Sequence, residues 1–225
     1  MSAEKPPASL LLVHGAGSGP DIYADWPPAF PSVDVQAADL HLGLDISQAS
    51  HADYAERVVE AAQDLEPPVS LCGWSMGGLA VLQAAAYIRP RSVVLIEPSP
   101  PAEVQGFDSA IVPKPGSFDP EEVYGFFPTE VAVRRESSLA RAERKRGVSV
   151  PYLSCPSLVV SGPSLVVSGR DFAEERGGPM ARFYGSAELR YPELSHWDLI
   201  RESQVREEIA AWLGITQPAK LHIVF

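Results

Sequence analysis

The chain has 225 residues, 45% of them hydrophobic and 21% charged, and its 18 basic against 29 acidic groups leave a net charge of −11. A chain of this length buries roughly 70% of the surface its unfolded form exposes, so one domain can form without disulfide or metal support. The acidity argues against nucleic acid and anionic membrane surfaces, whose affinity for proteins rests on Lys and Arg; it favours neutral or cationic small molecules.

Cys72 and Cys155 lie in apolar runs and read as free thiols rather than a bridge. Residues 1–9 are polar and residues 10–13 are too few for a signal or a span, so the sequence predicts a cytoplasmic protein with no membrane partner. Apolar runs that end in Gly-rich turns and lead into amphipathic stretches predict an α/β fold with a mostly parallel sheet. Residues 9–13 read as a buried strand running into His14-Gly15-Ala16-Gly17, and residues 33–37 alternate as a second strand. Ala52, Ala55, Val58, Val59, Ala62 and Leu65 then repeat at helical spacing until Pro67-Pro68 stop the helix. Residues 69–72 form a third strand leading into Gly73-Trp74-Ser75-Met76-Gly77-Gly78. An Ala-rich helix over residues 76–88 and a fourth strand over residues 91–96, closed by Glu97-Pro98, follow.

Residues 98–150 break the rhythm with seven prolines, several aromatics, and a run over residues 134–146 that holds six positive residues against Glu136 and Glu143. Short helices are expected near residues 120–127 and 137–146. The basic run reads as a solvated helix face with charge pairs, an anion-binding role being the alternative. Next, the heptapeptide Pro156-Ser157-Leu158-Val159-Val160-Ser161-Gly162 is repeated unchanged over residues 163–169. Gly162-Pro163 keeps both copies from sharing one strand. The second copy leads directly into Arg170-Asp171 and is the expected sheet strand, over residues 165–168, with the first copy displaced into a loop or edge hairpin. A helix interrupted near Gly177-Gly178, a last strand over residues 188–191 and a closing helix over residues 204–213 complete the order. This divides the chain into a core of residues 1–97 and 151–225 and a cap or lid of residues 98–150.

Gly73-Trp74-Ser75-Met76-Gly77 is a GxSxG motif between a predicted strand and a predicted helix. A sharp strand-to-helix turn strains the serine backbone and demands small neighbours, while it presents Oγ beside the free N–H groups of the helix start. A purely structural turn is the bland alternative. Serine alone is a weak nucleophile, so the reading requires a base and a group that orients it. Of five histidines, His196 in Ser195-His196-Trp197 follows the last predicted strand, at the sheet edge where sites assemble. His14 reads as support for its own turn, and His41, His51 and His222 as surface residues. Asp171, directly after a predicted strand, is the expected acid, with a helix-cap role as its alternative. Glu97, at the end of the fourth strand, is the second candidate. Asp198 is too near His196 in sequence to reach its ring.

These turns and their order resemble the α/β-hydrolase superfamily over nearly the whole chain. His14-Gly15-Ala16-Gly17 is similar to that family's oxyanion turn and Gly73-Trp74-Ser75-Met76-Gly77-Gly78 to its nucleophile elbow, and Ser75, Asp171 and His196 follow its triad order. The resemblance implies an α/β-hydrolase fold, mostly parallel, lacking the family's two leading strands and carrying residues 98–150 as its cap. It implies a carboxylesterase-like serine hydrolase that cleaves a small ester or thioester through an acyl-enzyme. The N–H groups of Ala16 and Met76 would form the oxyanion hole, Trp74 and Trp197 would meet the substrate, and neither cofactor nor metal would be needed. In some branches the acid follows the earlier strand, which keeps Glu97 a candidate. A cofactor-free lyase or acyltransferase on the same fold, or a non-catalytic ligand-binding relative, are the competing readings.

Overall fold

The computed structural model describes residues 7–125, 127–150, 152–153, 155–161 and 173–215. The first half holds strand β1 (Ser9–Val13), strand β2 (Asp34–Ala38), helix α1 (His51–Gln63), strand β3 (Val69–Trp74), helix α2 (Met76–Ile88) and strand β4 (Ser92–Ile96). Within residues 98–150 lie α3 (Ala102–Gln105), β5 (Ser117–Phe118), α4 (Pro120–Tyr124), β6 (Glu136–Ser137) and α5 (Ser138–Arg146). Strand β7 (Ser157–Ser161), helix α6 (Gly178–Tyr184), strand β8 (Ala187–Arg190) and helices α7 (Asp198–Arg201) and α8 (Ser203–Trp212) complete the order.

Six strands form one sheet in the order β2-β1-β3-β4-β7-β8, and each neighbouring pair is parallel. The chain leaves β1 for β2 at one edge and then crosses back to add β3, β4, β7 and β8 on the other side. The carboxyl ends of β1 and β3 therefore flank the point where the winding reverses, which is where open α/β sheets keep their sites.

Alternate strand residues face opposite layers of the fold. Leu11, Val13, Leu71, Val93 and Leu95 pack with buried residues of α1 and α2, whereas Leu10, Leu12, Cys72, Val94 and Ile96 pack with Trp26, Phe30 and the closing helices. Helix α1 starts at a capping box in which Ser50 N–H donates to Asp53 at 2.7 Å and Ser50 Oγ accepts from Asp53 N–H at 3.2 Å. Its Tyr54, Ala55, Val58 and Ala62 are buried at helical spacing. Helix α2 is buried nearly all round, which its small Gly and Ala residues allow between sheet and α1. Residues 98–150 dock on this layer: His51 N–H, at the start of α1, donates to Glu143 at 2.7 Å, and Ser137 Oγ donates to Ala49 O at 2.5 Å. No helix among the described residues is long and apolar enough to cross a membrane.

Two expectations are corrected. The first heptapeptide copy, not the second, supplies the sheet strand, with β7 paired to β4 from Val93↔Ser157 to Ile96↔Val160. Pro156 stands just before it and needs to offer only its carbonyl, which accepts from Val93 N–H at 3.0 Å. Residues 163–169, like Asp171, His222 and the C-terminal tail, lie outside the described residues. Secondly, His41 and His51 are buried, at 7% and 1% exposure, not on the surface. His41 Nε2 lies 2.7 Å from Glu136 and His51 Nδ1 lies 2.6 Å from Gln83 Oε1.

Burial pushes the His14 and His51 imidazoles down to about 4, against about 6.5 in an unfolded chain. Between those values the unfolded chain takes up protons that the folded one refuses, so stability is full above about pH 6.5 and falls as pH drops toward 4. The expected loss is on the order of 3 kcal/mol per histidine across that window. The urea midpoint should therefore drop clearly between pH 7 and pH 4.5; a midpoint constant over that range would contradict the burial of these two neutral rings.

Candidate active site

Ser75 stands directly after β3 with φ 55° and ψ −120°, a backbone conformation that non-glycine residues hold only under strain. The turn is clamped on both sides. Ser75 N–H donates to Ile96 O at 2.9 Å, and Ser75 O accepts from Gly78 N–H at 3.1 Å and Ser99 N–H at 2.8 Å. Space forces the flanking glycines: a Cβ at Gly77 would lie 2.3 Å from His14 O, and one at Gly73 would lie 2.6 Å from Gly77 O. The motif thus forms the strained strand-to-helix turn that its sequence requires, with Met76 as the first residue of α2.

The turn after β1 sits beside it. His14 is fully buried, and its Nε2 accepts from Leu40 N–H at 3.1 Å, which leaves Nδ1 to donate to Gly15 O at 2.9 Å. His14 therefore supports its turn, as expected from its place in sequence. Glu136, from the segment 98–150, holds the same turn from the other side. Its carboxylate accepts from Gly17 N–H at 3.1 Å and Tyr54 Oη–H at 3.0 Å and meets His41 Nε2 at 2.7 Å. Burial alone would raise the Glu136 pKa, but the hydrogen bond and charge of His41, with the Gly17 N–H, outweigh it and hold the carboxyl below the usual range. Sequence reasoning missed this residue because its partners lie far away along the chain.

His196 lies in the loop between β8 and α7. Asp198 shapes that loop by accepting from Ser195 N–H at 3.0 Å and Ser195 Oγ at 2.5 Å. The Trp74 indole N–H donates to His196 O at 3.1 Å, and its ring packs against the imidazole with centroids 4.7 Å apart and against Trp197 at 4.5 Å. Glu97, directly after β4, is fully buried at φ 37°, and its Oε2 lies 2.5 Å from His196 Nδ1. Of the two carboxylates considered from sequence, Glu97 is the one seen against the imidazole; Asp171 lies outside the described residues.

Ala16, Trp74, Ser75, His196 and Trp197 line one cavity of about 320 Å³, which Tyr124 and Phe127 close from the segment 98–150. Arg144, Lys145 and Arg176 also line it, whereas no Asp or Glu does among the described residues. The charged side chains that line the cavity are thus opposite in sign to the net charge from which neutral or cationic ligands are expected. Burial, with the positive charge of Arg144, pushes Arg176 down to about 10, an effect that Glu97 and Glu175 oppose. No cluster of three or more His, Cys, Asp or Glu side chains fit to hold a metal occurs among the described residues.

The structure is similar to a pyrethroid hydrolase from Sphingobium faniae, with a TM-score of 0.66 and 15% identity over 92% of this chain and 97% of that one. A lipase-esterase related protein from Clostridium acetobutylicum matches with a TM-score of 0.63 and 18% identity over 90% of this chain and 93% of that one. The RedJ thioesterase of the prodiginine biosynthetic pathway in Streptomyces coelicolor matches with a TM-score of 0.61 and 18% identity over 95% of this chain and 89% of that one. At such identities these likenesses establish a shared fold. No curated protein sequence matches the chain. The sequence profile of the alpha/beta hydrolase family matches residues 10–212, and over that extent, with the serine turn at the switch point of the sheet, the chain belongs to this family.

Proposed function

We propose that the protein is a serine hydrolase that cleaves a small carboxylic ester or thioester through an acyl-enzyme. The observation that carries this reading is the hydrogen bond between Glu97 Oε2 and His196 Nδ1 at 2.5 Å, in a cavity that also holds the strained Ser75. With Nδ1 engaged by a carboxylate, Nε2 is the nitrogen left to accept the Ser75 proton, and the imidazolium that forms is stabilised by Glu97. Ser75 Oγ attacks the substrate carbonyl carbon. The tetrahedral intermediate collapses with loss of the alcohol or thiol, to which His196 returns the proton, and water activated by His196 releases the acid.

The N–H groups of Ala16 and Met76 receive the developing oxyanion. Neither has a hydrogen-bond acceptor among the described residues, and one such donor is typically worth about 3 to 4 kcal/mol in the transition state. Residues 98–150 act as the cap over this site, with Tyr124, Phe127 and Trp197 as the walls that meet the substrate. The pyrethroid hydrolase, lipase-esterase and thioesterase neighbours support the ester or thioester as the bond cleaved. Treatment of folded protein with a fluorophosphonate probe, followed by peptide mass spectrometry, tests the nucleophile. Ser75 should carry the label, and an unlabelled Ser75 would remove the basis for hydrolysis.

A further inference from the structure

Helix α5 ends in Arg144-Lys145-Arg146, and its first two cations turn into the same cavity that holds Ser75 and His196, where Arg176 joins them from the turn ahead of α6. We propose that these three side chains form an anion-binding end of the cavity, so that the substrate carries a carboxylate or phosphate in addition to the bond that is cleaved. This rests on the hydrolase reading of the same site.

Three observations converge on it. The helix end is built rather than loose: Gln105 Nε2 donates to Arg144 O at 2.6 Å, and Arg144 Nη2 donates to Tyr124 Oη at 2.8 Å, which fixes the guanidinium at the cavity wall. The cations also crowd one another. The charge of Arg141, then burial, lowers the Lys145 pKa, and Arg144 adds to that effect. Like charges held together in a partly desolvated wall repel, and an incoming anion relieves that repulsion while accepting charge-assisted hydrogen bonds. Lastly, the gathering is local, since the chain as a whole carries a net charge of −11 and spends its positive charge sparingly. Trp197 and Phe127, whose rings meet at 5.2 Å, give the same cavity an apolar wall. The cavity therefore fits a short chain or ring with one anionic end. At about 320 Å³ it sits at the lower limit of small-molecule sites.

The experiment compares esters of one skeleton with and without an anionic end group, the salt and variant arms separating charge from size. On the acyl side, the pair is p-nitrophenyl butyrate against the mono-p-nitrophenyl ester of glutaric acid. On the leaving-group side, it is the monobutyrate of ethylene glycol against the butyrate ester of 2-hydroxyethyl phosphate. At low ionic strength kcat/KM should favour the anionic member of at least one pair by about tenfold, and the pair that responds tells a carboxylate on the acyl side from a phosphate on the leaving group. The preference should shrink in 0.5 M salt, fall severalfold in Lys145→Gln and in Arg144→Gln, and persist in Lys114→Gln, a change at an exposed lysine outside the cavity. Equal or faster turnover of both neutral esters, or a preference untouched by the two cavity variants, overturns the proposal.

Should no ester be hydrolysed, the hydrolase reading fails, and calorimetric titration of the folded protein with glutarate and with inorganic phosphate decides the anion site by itself. Binding that weakens in Lys145→Gln and Arg144→Gln upholds the site. Absence of binding by both ions, or binding indifferent to the two variants, rejects it.

Discussion

Ser75→Ala is expected to lower kcat for a p-nitrophenyl ester by about 10⁶, the loss typical when a catalytic serine is removed. The backbone of the turn is held by Ile96 O, Gly78 N–H and Ser99 N–H, none of which involves the hydroxyl. Alanine can take the same strained conformation at the same cost as serine, so thermal stability should stay within about 0.5 kcal/mol of the parent. A drop in activity without a drop in stability separates chemistry from folding. His196→Ala should cost a comparable factor, and the double variant should be no slower than the slower single one, because base and nucleophile act as one unit. A double variant slower than either single one by a further factor of about 10³ would mean independent contributions and would contradict the shared proton transfer.

Glu97→Gln carries the second large effect, a loss of about 10⁴ in kcat with KM little changed. The substitution keeps shape and removes charge. An amide facing His196 Nδ1 can present its NH2 group, which favours the tautomer with the proton on Nε2, where it cannot accept the Ser75 proton. Without the carboxylate, the imidazolium formed during attack also loses its partner at 2.5 Å. The rate of fluorophosphonate labelling of Ser75 should fall with kcat, which a merely structural defect at Glu97 would not require. Asp171→Asn, by comparison, is expected to change kcat by less than about threefold, because Glu97 already supplies the carboxylate at His196 Nδ1. The reverse pattern, a crippled Asp171→Asn beside an active Glu97→Gln, would assign the acid to Asp171.

The rivalry between these two carboxylates shows where the sequence stops being legible. Both follow a stretch that reads as a strand, and both come before His196 in the chain. Which strand end faces the loop after β8 is a matter of sheet order and loop path that no local pattern encodes. The tandem heptapeptide adds to this. Its two copies are identical, so propensity and hydrophobic pattern cannot choose between them, and it is the first that pairs with β4 as β7. His41 and His51 were misread for a related reason. Each sits in a polar stretch, yet residues 98–150 fold over them and bury them against Glu136 and Gln83.

What the sequence determined alone is the set of features whose physics is local. The turn around Ser75 needs Gly73 and Gly77 within a few residues, the Ala-rich stretch has one stable arrangement as a buried helix, and α2 runs over Met76–Ile88 as its pattern predicts. Apolar runs punctuated by glycine gave the parallel sheet and the order of its elements, and with them the family. Only the tertiary structure brought Glu97 against His196, paired the first heptapeptide copy with β4, and showed that Glu136 grips the turn carrying Ala16. It also decided which charged side chains line the site. Net charge is a sum over the surface, whereas the potential in a cavity depends on the few groups within about 10 Å of it. Folding brings Arg144, Lys145 and Arg176 into that range, so an acidic chain lines its cavity with three cations.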